Sequence, residues 1–318
     1  MKTMVIVNPV SGMGRGARCG RMIAATKEKL DIFFTSPDKT AFDLAKEAVR
    51  KNYERVIGVG GDGTFGSIAN GLLGSGIPLG LVPGGVGNDF SKGVGIPQNA
   101  NKALEVALHG QLLPVDMGEI DGVGFINVAS FGFDAQLIRH IPALRKKYRF
   151  LPGEGLYLIA LSRELLSRLD YPKIWMRLHE DGSPKMFGHH TTALVISNGP
   201  QYGGMFKIAP DASLVDGLLD ICWIEAMGKG KILTNLPKVI QGTHTRIPGV
   251  NMFRLPSLSI YSAVKLTCQV DGEVFESKNE YQFRVLPKAL NVVVPQTLAP
   301  QLIEPERVIV KAPSLQPA

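Results

Sequence analysis

Arg55-Val56-Ile57-Gly58-Val59-Gly60-Gly61-Asp62-Gly63-Thr64 is the stretch whose reading sets the fold class. Arg55–Val59 reads as a short buried strand, and Gly60–Thr64 as a glycine-rich turn at its carboxyl end. Similar apolar runs lie on either side at Met4–Asn8, Asp31–Thr35 and Pro78–Val82. Helical patterning is predicted between them: a stretch ending near Lys29, then Ala41–Lys51, Ser67–Leu73 and Ala103–His109. Apolar strands separated by helices of this length predict a parallel sheet covered by helices on both faces.

From about Leu112 the pattern changes. GEIDGVGFINVAS carries an Asp121-Gly122 turn and MRLHEDGSPKMF an Asp181-Gly182 turn, both hairpin signals. Further strands are predicted at Ala193–Ser197, Leu218–Glu225, Ser257–Tyr261, Val264–Val270 and Tyr281–Val285. The fold class is therefore α/β with two domains. Residues 1–120 are expected to form an α/β domain and residues 121–295 a mainly antiparallel, β-rich domain. A cleft is expected between them, and the Pro-rich tail 296–318 is expected to return to the first.

Composition narrows the class without choosing the function. The 318 residues are 45% hydrophobic, enough for a sizeable core, and the net charge of +7 suits a polyanionic partner such as a nucleotide or an anionic membrane face. The three cysteines, Cys19, Cys222 and Cys268, are far apart and form no CxxC pair, which reads as a reducing, cytoplasmic setting. No run of 18 apolar residues is present, so contact with lipid is expected from the water side, peripherally at the inner membrane face.

Three glycine-rich turns follow three of the predicted parallel strands: Asn8-Pro9-Val10-Ser11-Gly12, Gly60-Gly61-Asp62-Gly63-Thr64, and Pro83-Gly84-Gly85-Val86-Gly87-Asn88-Asp89. Ligands of open α/β sheets bind outside the carboxyl ends of the strands. Glycine there lets the main chain approach a phosphate, and the next helix offers unpaired N–H groups. Asp62 inside such a loop suits a nucleotide whose charge is offset by Mg²⁺. Gly58–Gly63 formally matches GxGxxG, but Phe34 and Thr35 stand at the end of the second strand, where a dinucleotide site needs an acidic residue. There is no GxxxxGK[ST], so the chain is not a P-loop protein.

With these motifs the chain resembles the diacylglycerol kinase catalytic-domain family, which includes bacterial lipid kinases related to sphingosine kinases. The resemblance runs from Asn8 to about Pro295 through NPVSG, GGDGT, PGGVGNDF, Val115-Asp116-Met117-Gly118, FINVASFGFDA, KIAPDA, Leu214–Asp220 and Val270-Asp271-Gly272-Glu273. It implies an NAD kinase-like nucleotide domain beside a β-rich domain that holds the lipid headgroup. It also implies that Asn8, Ser11, Gly12, Thr35, Gly60, Gly61, Asp62, Gly63, Thr64, Gly85, Asn88 and Asp89 hold ATP. Asp271 and Glu273 would be the catalytic pair, with Glu273 taking the lipid hydroxyl proton. Ser213, Asp216 and Leu218 match a magnesium site, the outer two through main-chain carbonyls. The activity implied is ATP- and Mg²⁺-dependent phosphorylation of a lipid hydroxyl, diacylglycerol to phosphatidic acid first among them. A weak nucleophile of that kind needs a carboxylate beside it and positive charge around the phosphoryl group.

Two departures fall at the nucleotide site. Gly66 and Ser67 stand where the family usually has Asn-Glu, and Val86 where it has Thr. Each lost neutral hydrogen bond costs about 0.5–1.5 kcal/mol. A non-catalytic lipid-binding relative therefore stays open beside the lipid kinase; an NAD kinase-like or other small-molecule kinase shares GGDGT and is the other alternative, disfavoured by NPVSG and VDGE.

The most basic stretch, residues 139–149, precedes Leu156–Leu169, which would set Leu158, Leu161, Leu165 and Leu169 on one helical face over the lipid site. Contact with an anionic membrane is expected there. A nucleic-acid partner is not, because the basic cluster lacks interleaved stacking aromatics and a reader motif. A homodimer is compatible with the sequence.

Overall fold

The computed structural model describes residues 1–148, 151, 153–167, 169–178 and 185–297. They divide into two compact units. The Asp181-Gly182 turn and most of the 296–318 tail lie outside the described residues.

The first unit contains β1 (Thr3–Val7), α1 (Ser11–Ala24), β2 (Leu30–Phe34), α2 (Ala41–Arg50), β3 (Arg55–Gly60), α3 (Asp62–Leu72), β4 (Leu79–Pro83), α4 (Asp89–Gly93), α5 (Ala100–His109) and the start of β5 (Gln111–Ile120). The strands pair in parallel in the order β2-β1-β3-β4. β1 and β4 are buried at every position and β3 at all but the first, as expected of strands covered on both faces, whereas the edge strand β2 is not. The order reverses between β1 and β3, so the loops leaving those strands diverge at the switch point where open α/β sheets bind ligands. α2 begins with a capping box in which Thr40 Oγ1 accepts from Asp43 N–H and Asp43 Oδ2 from Thr40 N–H.

The predicted start of α3 at Ser67 is five residues late. Asp62-Gly63-Thr64 is its first turn, because Phe65, Ile68, Ala69 and Leu72 pack fully and override the poor helix propensity of glycine. α1 stops at Ala24, short of Lys29.

The domain partition is more interleaved than the sequence suggests. The first unit takes residues 1–117 and also 213–217 and 286–297 of the described chain. Asp116 is the node that gathers them. It is buried, its N–H donates to the Leu214 carbonyl at 2.7 Å, and its carboxylate accepts from the N–H groups of Gly217 and Lys288, each at 2.7 Å.

The second unit holds the rest of β5, β6 (Val123–Phe125), β7 (Val128–Gly132), α6 (Phe133–Lys147), α7 (Gly153–Leu166), β8 (Lys173–Leu178), β9 (Lys185–Ser197), β10 (Leu219–Glu225), α8 (Lys229–Gln241), β11 (Val250–Leu255), β12 (Ser257–Val270) and most of β13 (Glu273–Val294). Its pairings are antiparallel, and β9, β7, β12 and β8 form a closed circuit. The runs 257–261 and 264–270 are one strand, whose register slips between Tyr261 and Leu266 as β12 leaves β8 for β7. Phe125, Phe131, Trp223, Tyr281 and Phe283 fill the core, with Phe131 and Tyr281 rings 4.9 Å apart.

α7 packs on α6 through Leu156, Ala160 and Leu161. The buried face thus runs through Leu156, Ala160 and the predicted Leu161 rather than through Leu158, and the part-buried Glu164 at its edge is held to His140 at 3.1 Å. Leu158 is 52% exposed, Leu165 packs partly, and Leu169 lies beyond the helix.

Candidate active site

Three loops meet in the first unit through main-chain contacts. A Cβ on Gly12, at φ +53°, would collide with the Gly84 carbonyl oxygen, and one on Gly85 would come within 2.5 Å of Gly61 Cα. The Gly60 carbonyl accepts from Gly84 N–H at 2.7 Å and Gly85 N–H at 3.1 Å, which hangs the third loop on the end of β3. Asn8 Nδ2 donates to Thr64 Oγ1 at 3.0 Å, and the Asn8 carbonyl accepts from Ser11 Oγ at 2.8 Å. Thr35 N–H donates to the Val7 carbonyl, setting the end of β2 beside Asn8. Asn88, buried at φ +53°, closes the 85–88 turn by accepting from Gly85 N–H at 2.9 Å. The structure therefore brings Asn8, Ser11, Gly12, Thr35, Gly60, Gly61, Asp62, Gly63, Thr64, Gly85, Asn88 and Asp89 into one neighbourhood of the first unit.

Asp62 has a role the sequence did not show. Its two carboxylate oxygens accept from Asp89 N–H at 3.0 Å and Phe90 N–H at 2.8 Å, so it caps α4. Charge at a helix N-terminus stabilises it by about 0.3–1 kcal/mol in ordinary settings. Gly61 supplies no side-chain cap to α3, and the helix's first internal bond runs from Phe65 N–H to the Gly61 carbonyl. The N–H groups of that first turn thus lack an intrahelical acceptor, the usual arrangement for taking an anion. At the departures, Gly66 is buried within α3 and its carbonyl accepts from Asn70 Nδ2; Ser67 and Val86 are half-buried.

In the second unit, Asp271 (φ +47°) and Gly272 (φ +86°) form the two-residue turn joining β12 to β13. The Asp271 carboxylate accepts from the N–H groups of Ile126, Asn127 and Val128 at 2.8–3.0 Å, and Asp271 N–H donates to the Val128 carbonyl. Asp271 is thus a fastener between two strand ends. Glu273 is exposed at the first position of β13. Of the predicted catalytic pair, one carboxylate is bound into the fold and the other faces outward.

Ser213 and Asp216 lie in the piece of chain that Asp116 binds, and Leu218 follows it directly. Two main-chain carbonyls and one carboxylate are all hard oxygen donors. That set fits Mg²⁺, which keeps several waters and takes one or two carboxylates. Among the described residues no cluster of three or more His, Cys, Asp or Glu side chains offers a different metal site.

The second unit also contains an apolar cavity of about 90 Å³, lined by residues including Phe133, Tyr157, Tyr202, Phe206 and Ile232. Its polar end is Asp134, whose Oδ1 accepts from Tyr202 Oη at 2.6 Å and Tyr157 Oη at 3.2 Å, while Ser130 Oγ donates to Oδ2. Burial pushes the Asp134 carboxyl above its ordinary range, against the pull of these donors. Burial, then the Asp134 charge, raises both tyrosines well above theirs.

Comparison with known proteins fits this two-part arrangement. Residues 2–120 match the family described as diacylglycerol kinase catalytic domain, and residues 127–294 that described as YegS C-terminal NAD kinase beta sandwich-like domain. The chain belongs to the diacylglycerol kinase and YegS-like lipid kinase family. A relative named diacylglycerol kinase, from Bacillus subtilis (strain 168), is 28% identical over 265 residues, covering 82% of this chain and 84% of its own. One named YegS-like lipid kinase, from Klebsiella pneumoniae (strain 342), is 32% identical over 254 residues, 78% of this chain and 80% of its own. A solved structure described as a diacylglycerol kinase from Bacillus anthracis (strain Sterne) superposes with a TM-score of 0.69 at 21% identity, covering 94% of this chain and 98% of that one, and so shares the fold.

Membership in this lipid kinase family makes phosphoryl transfer the reaction class. Asp116 and Asp134 lie in VDMG and FGFDA, motifs that carry the resemblance, so their positions were visible in the sequence although their partners were not. Among the described residues no helix is long and apolar enough to cross a membrane.

Proposed function

We propose that the chain is an ATP- and Mg²⁺-dependent kinase that phosphorylates a lipid hydroxyl, with diacylglycerol the first acceptor to test. The observation that carries this reading is the meeting of three glycine loops at the switch point, with the first turn of α3 left uncapped by a side chain. Main-chain N–H groups there would bind nucleotide phosphates. The Glu273 carboxylate would accept the proton as the lipid hydroxyl oxygen bonds to the γ-phosphorus and ADP leaves. Asp271 would hold the turn that presents it. Ser213, Asp216 and Leu218 would hold Mg²⁺, which when bound neutralises charge beside the site.

A peripheral position on an anionic membrane follows as part of the same reading. α6 carries Arg139, Arg145, Lys146 and Lys147, and α7 exposes Leu158 and Leu166. Basic side chains at such a surface contribute about 1 kcal/mol each. Gly66, Ser67 and Val86 favour a second reading, a relative that binds lipid without transferring phosphate.

Transfer of labelled γ-phosphate from Mg·ATP to a panel of lipids in mixed micelles decides between them. Labelling of one lipid supports the kinase and names its acceptor. No labelling by folded protein that still binds the micelles supports the second reading.

A further inference from the structure

We infer that Gln269 is a positioning residue for the turn that presents Glu273, binding that turn to the polar end of the apolar cavity. The inference rests on the kinase reading above for its catalytic part and on geometry for the rest. Gln269 is fully buried on β12, two residues before the turn. Its Oε1 accepts from Gly272 N–H at 2.8 Å. Its Nε2 donates to Ser130 Oγ at 2.8 Å and to Asp134 Oδ2 at 3.2 Å. The amide can sit only this way round, because the Gly272 N–H is a donor and must meet oxygen.

Both ends of the amide are therefore committed. One holds the turn and the other holds the carboxylate that Tyr157 and Tyr202 also contact from the cavity. The chain of bonds runs Tyr202, Asp134, Gln269, Gly272, and the next residue is Glu273. In an Asp-Gly turn with both residues at positive φ, nothing in the hairpin itself requires a partner for the glycine N–H. A buried glutamine spent on it restricts the turn and with it the direction of Glu273. A misplacement of about 1 Å in a reacting group can cost roughly 100-fold in rate.

Gln269→Leu keeps the bulk and removes all three hydrogen bonds. Hydrogen–deuterium exchange of a peptide covering residues 267–275, read without substrate, is expected to speed up locally. In the lipid kinase assay, kcat should fall about 10- to 100-fold with KM for the lipid unchanged. Unaltered exchange in that peptide overturns the assignment, whatever the activity of the wild type. If the wild type transfers no phosphate, the functional reading fails while exchange still decides the role of Gln269.

Gln269→Glu guards against a misfolded leucine variant. Its carboxyl would meet Ser130 of β7 and Asp134 of α6, whose other carboxylate oxygen is held by Tyr157 of α7 and by Tyr202. Burial and the like charge of Asp134 favour its protonated form, which still accepts from Gly272 and donates to Asp134. Activity relative to wild type should thus be highest at low pH and decline as pH rises and the introduced carboxyl ionises. A flat ratio across the range from about pH 5.5 to about pH 9 overturns the proposal.

Discussion

The two acidic motifs of this chain look alike in sequence and differ in use. In the first unit, the glycine loops are joined by main chain: Gly12 to Gly84, Gly61 to Gly85, and the Gly60 carbonyl to two N–H groups. The carboxylate of that glycine turn, Asp62, is committed to capping α4. In the second unit, Asp271 is likewise committed, to three N–H groups, but its turn leaves Glu273 exposed. The first region can offer a ligand mainly oriented backbone, whereas the second offers a side chain held by neighbours. Substitutions in the first should therefore act through packing and binding. In the second, presentation and chemistry should separate.

The sharpest way to break this contrast is to compare Glu273→Gln with Asp271→Asn. Removing a general base typically costs about 10²–10⁴-fold, so Glu273→Gln should lower kcat by that order while thermal stability holds. Asp271→Asn should do the reverse. An amide has one oxygen, and its NH2 end would face backbone N–H groups that now donate to the carboxylate. Hydrogen bonds to charged groups contribute about 1.5–3 kcal/mol, which for a protein of this size corresponds to a fall in Tm of several degrees. If Asp271→Asn keeps its Tm and loses all turnover, the roles are exchanged and Asp271 is the base.

In the first unit the next largest effect is expected from Gly12→Ala. The new methyl would meet the Gly84 carbonyl oxygen, and the residue would have to hold φ +53°. Strained backbone of this kind costs about 1–3 kcal/mol. Calorimetry should show a lower Tm, and nucleotide titration a weaker affinity with no change at a saturating concentration in kcat. Unchanged affinity would mean that the meeting of the loops is structural only.

What could be read from the sequence follows from the range of the interactions. β1, β3 and β4 are buried apolar runs, and their loops carry glycine, so both the sheet and the meeting of its glycine loops were legible. The start of α3 was not, since glycine-rich Asp62–Thr64 is helical only because Phe65 and Ile68 pack against β3 and the helices. β12 was read as two strands because its register slips where it changes partner. The α7 face was only partly read: Leu161 and Leu165 pack, whereas Leu158 is exposed and the part-buried Glu164, a residue polarity places outside, pairs with His140. The capture of residues 213–217 and 286–297 by the first unit involves Asp116 bonding across 101 and 172 positions and the pairing of Val292 on β13 with Leu79 on β4, which no local pattern records. The engagement of Asp62 and Asp271 was hidden for the same reason.

The smallest expected effect tests the departures. Val86 is half-buried beside Gly85, whose N–H is already taken by Asn88 Oδ1 and the Gly60 carbonyl. A hydroxyl at position 86 would thus be free to serve a ligand rather than repair the loop. Val86→Thr restores one neutral hydrogen bond, about 0.5–1.5 kcal/mol, which is roughly a 2- to 10-fold gain in nucleotide affinity. Ser67→Glu acts from a half-buried position of α3, away from the fully packed Phe65 and Ile68. Titration of the single variants and the double variant with Mg·ATP measures both gains and whether they add. Gains that appear with nucleotide bound in the first unit would show that the backbone cradle works already and that these side chains only tune it. A wild type that binds no nucleotide, with binding created by the double variant, would instead make side chains decisive in the region where the proposal gives the main chain that part.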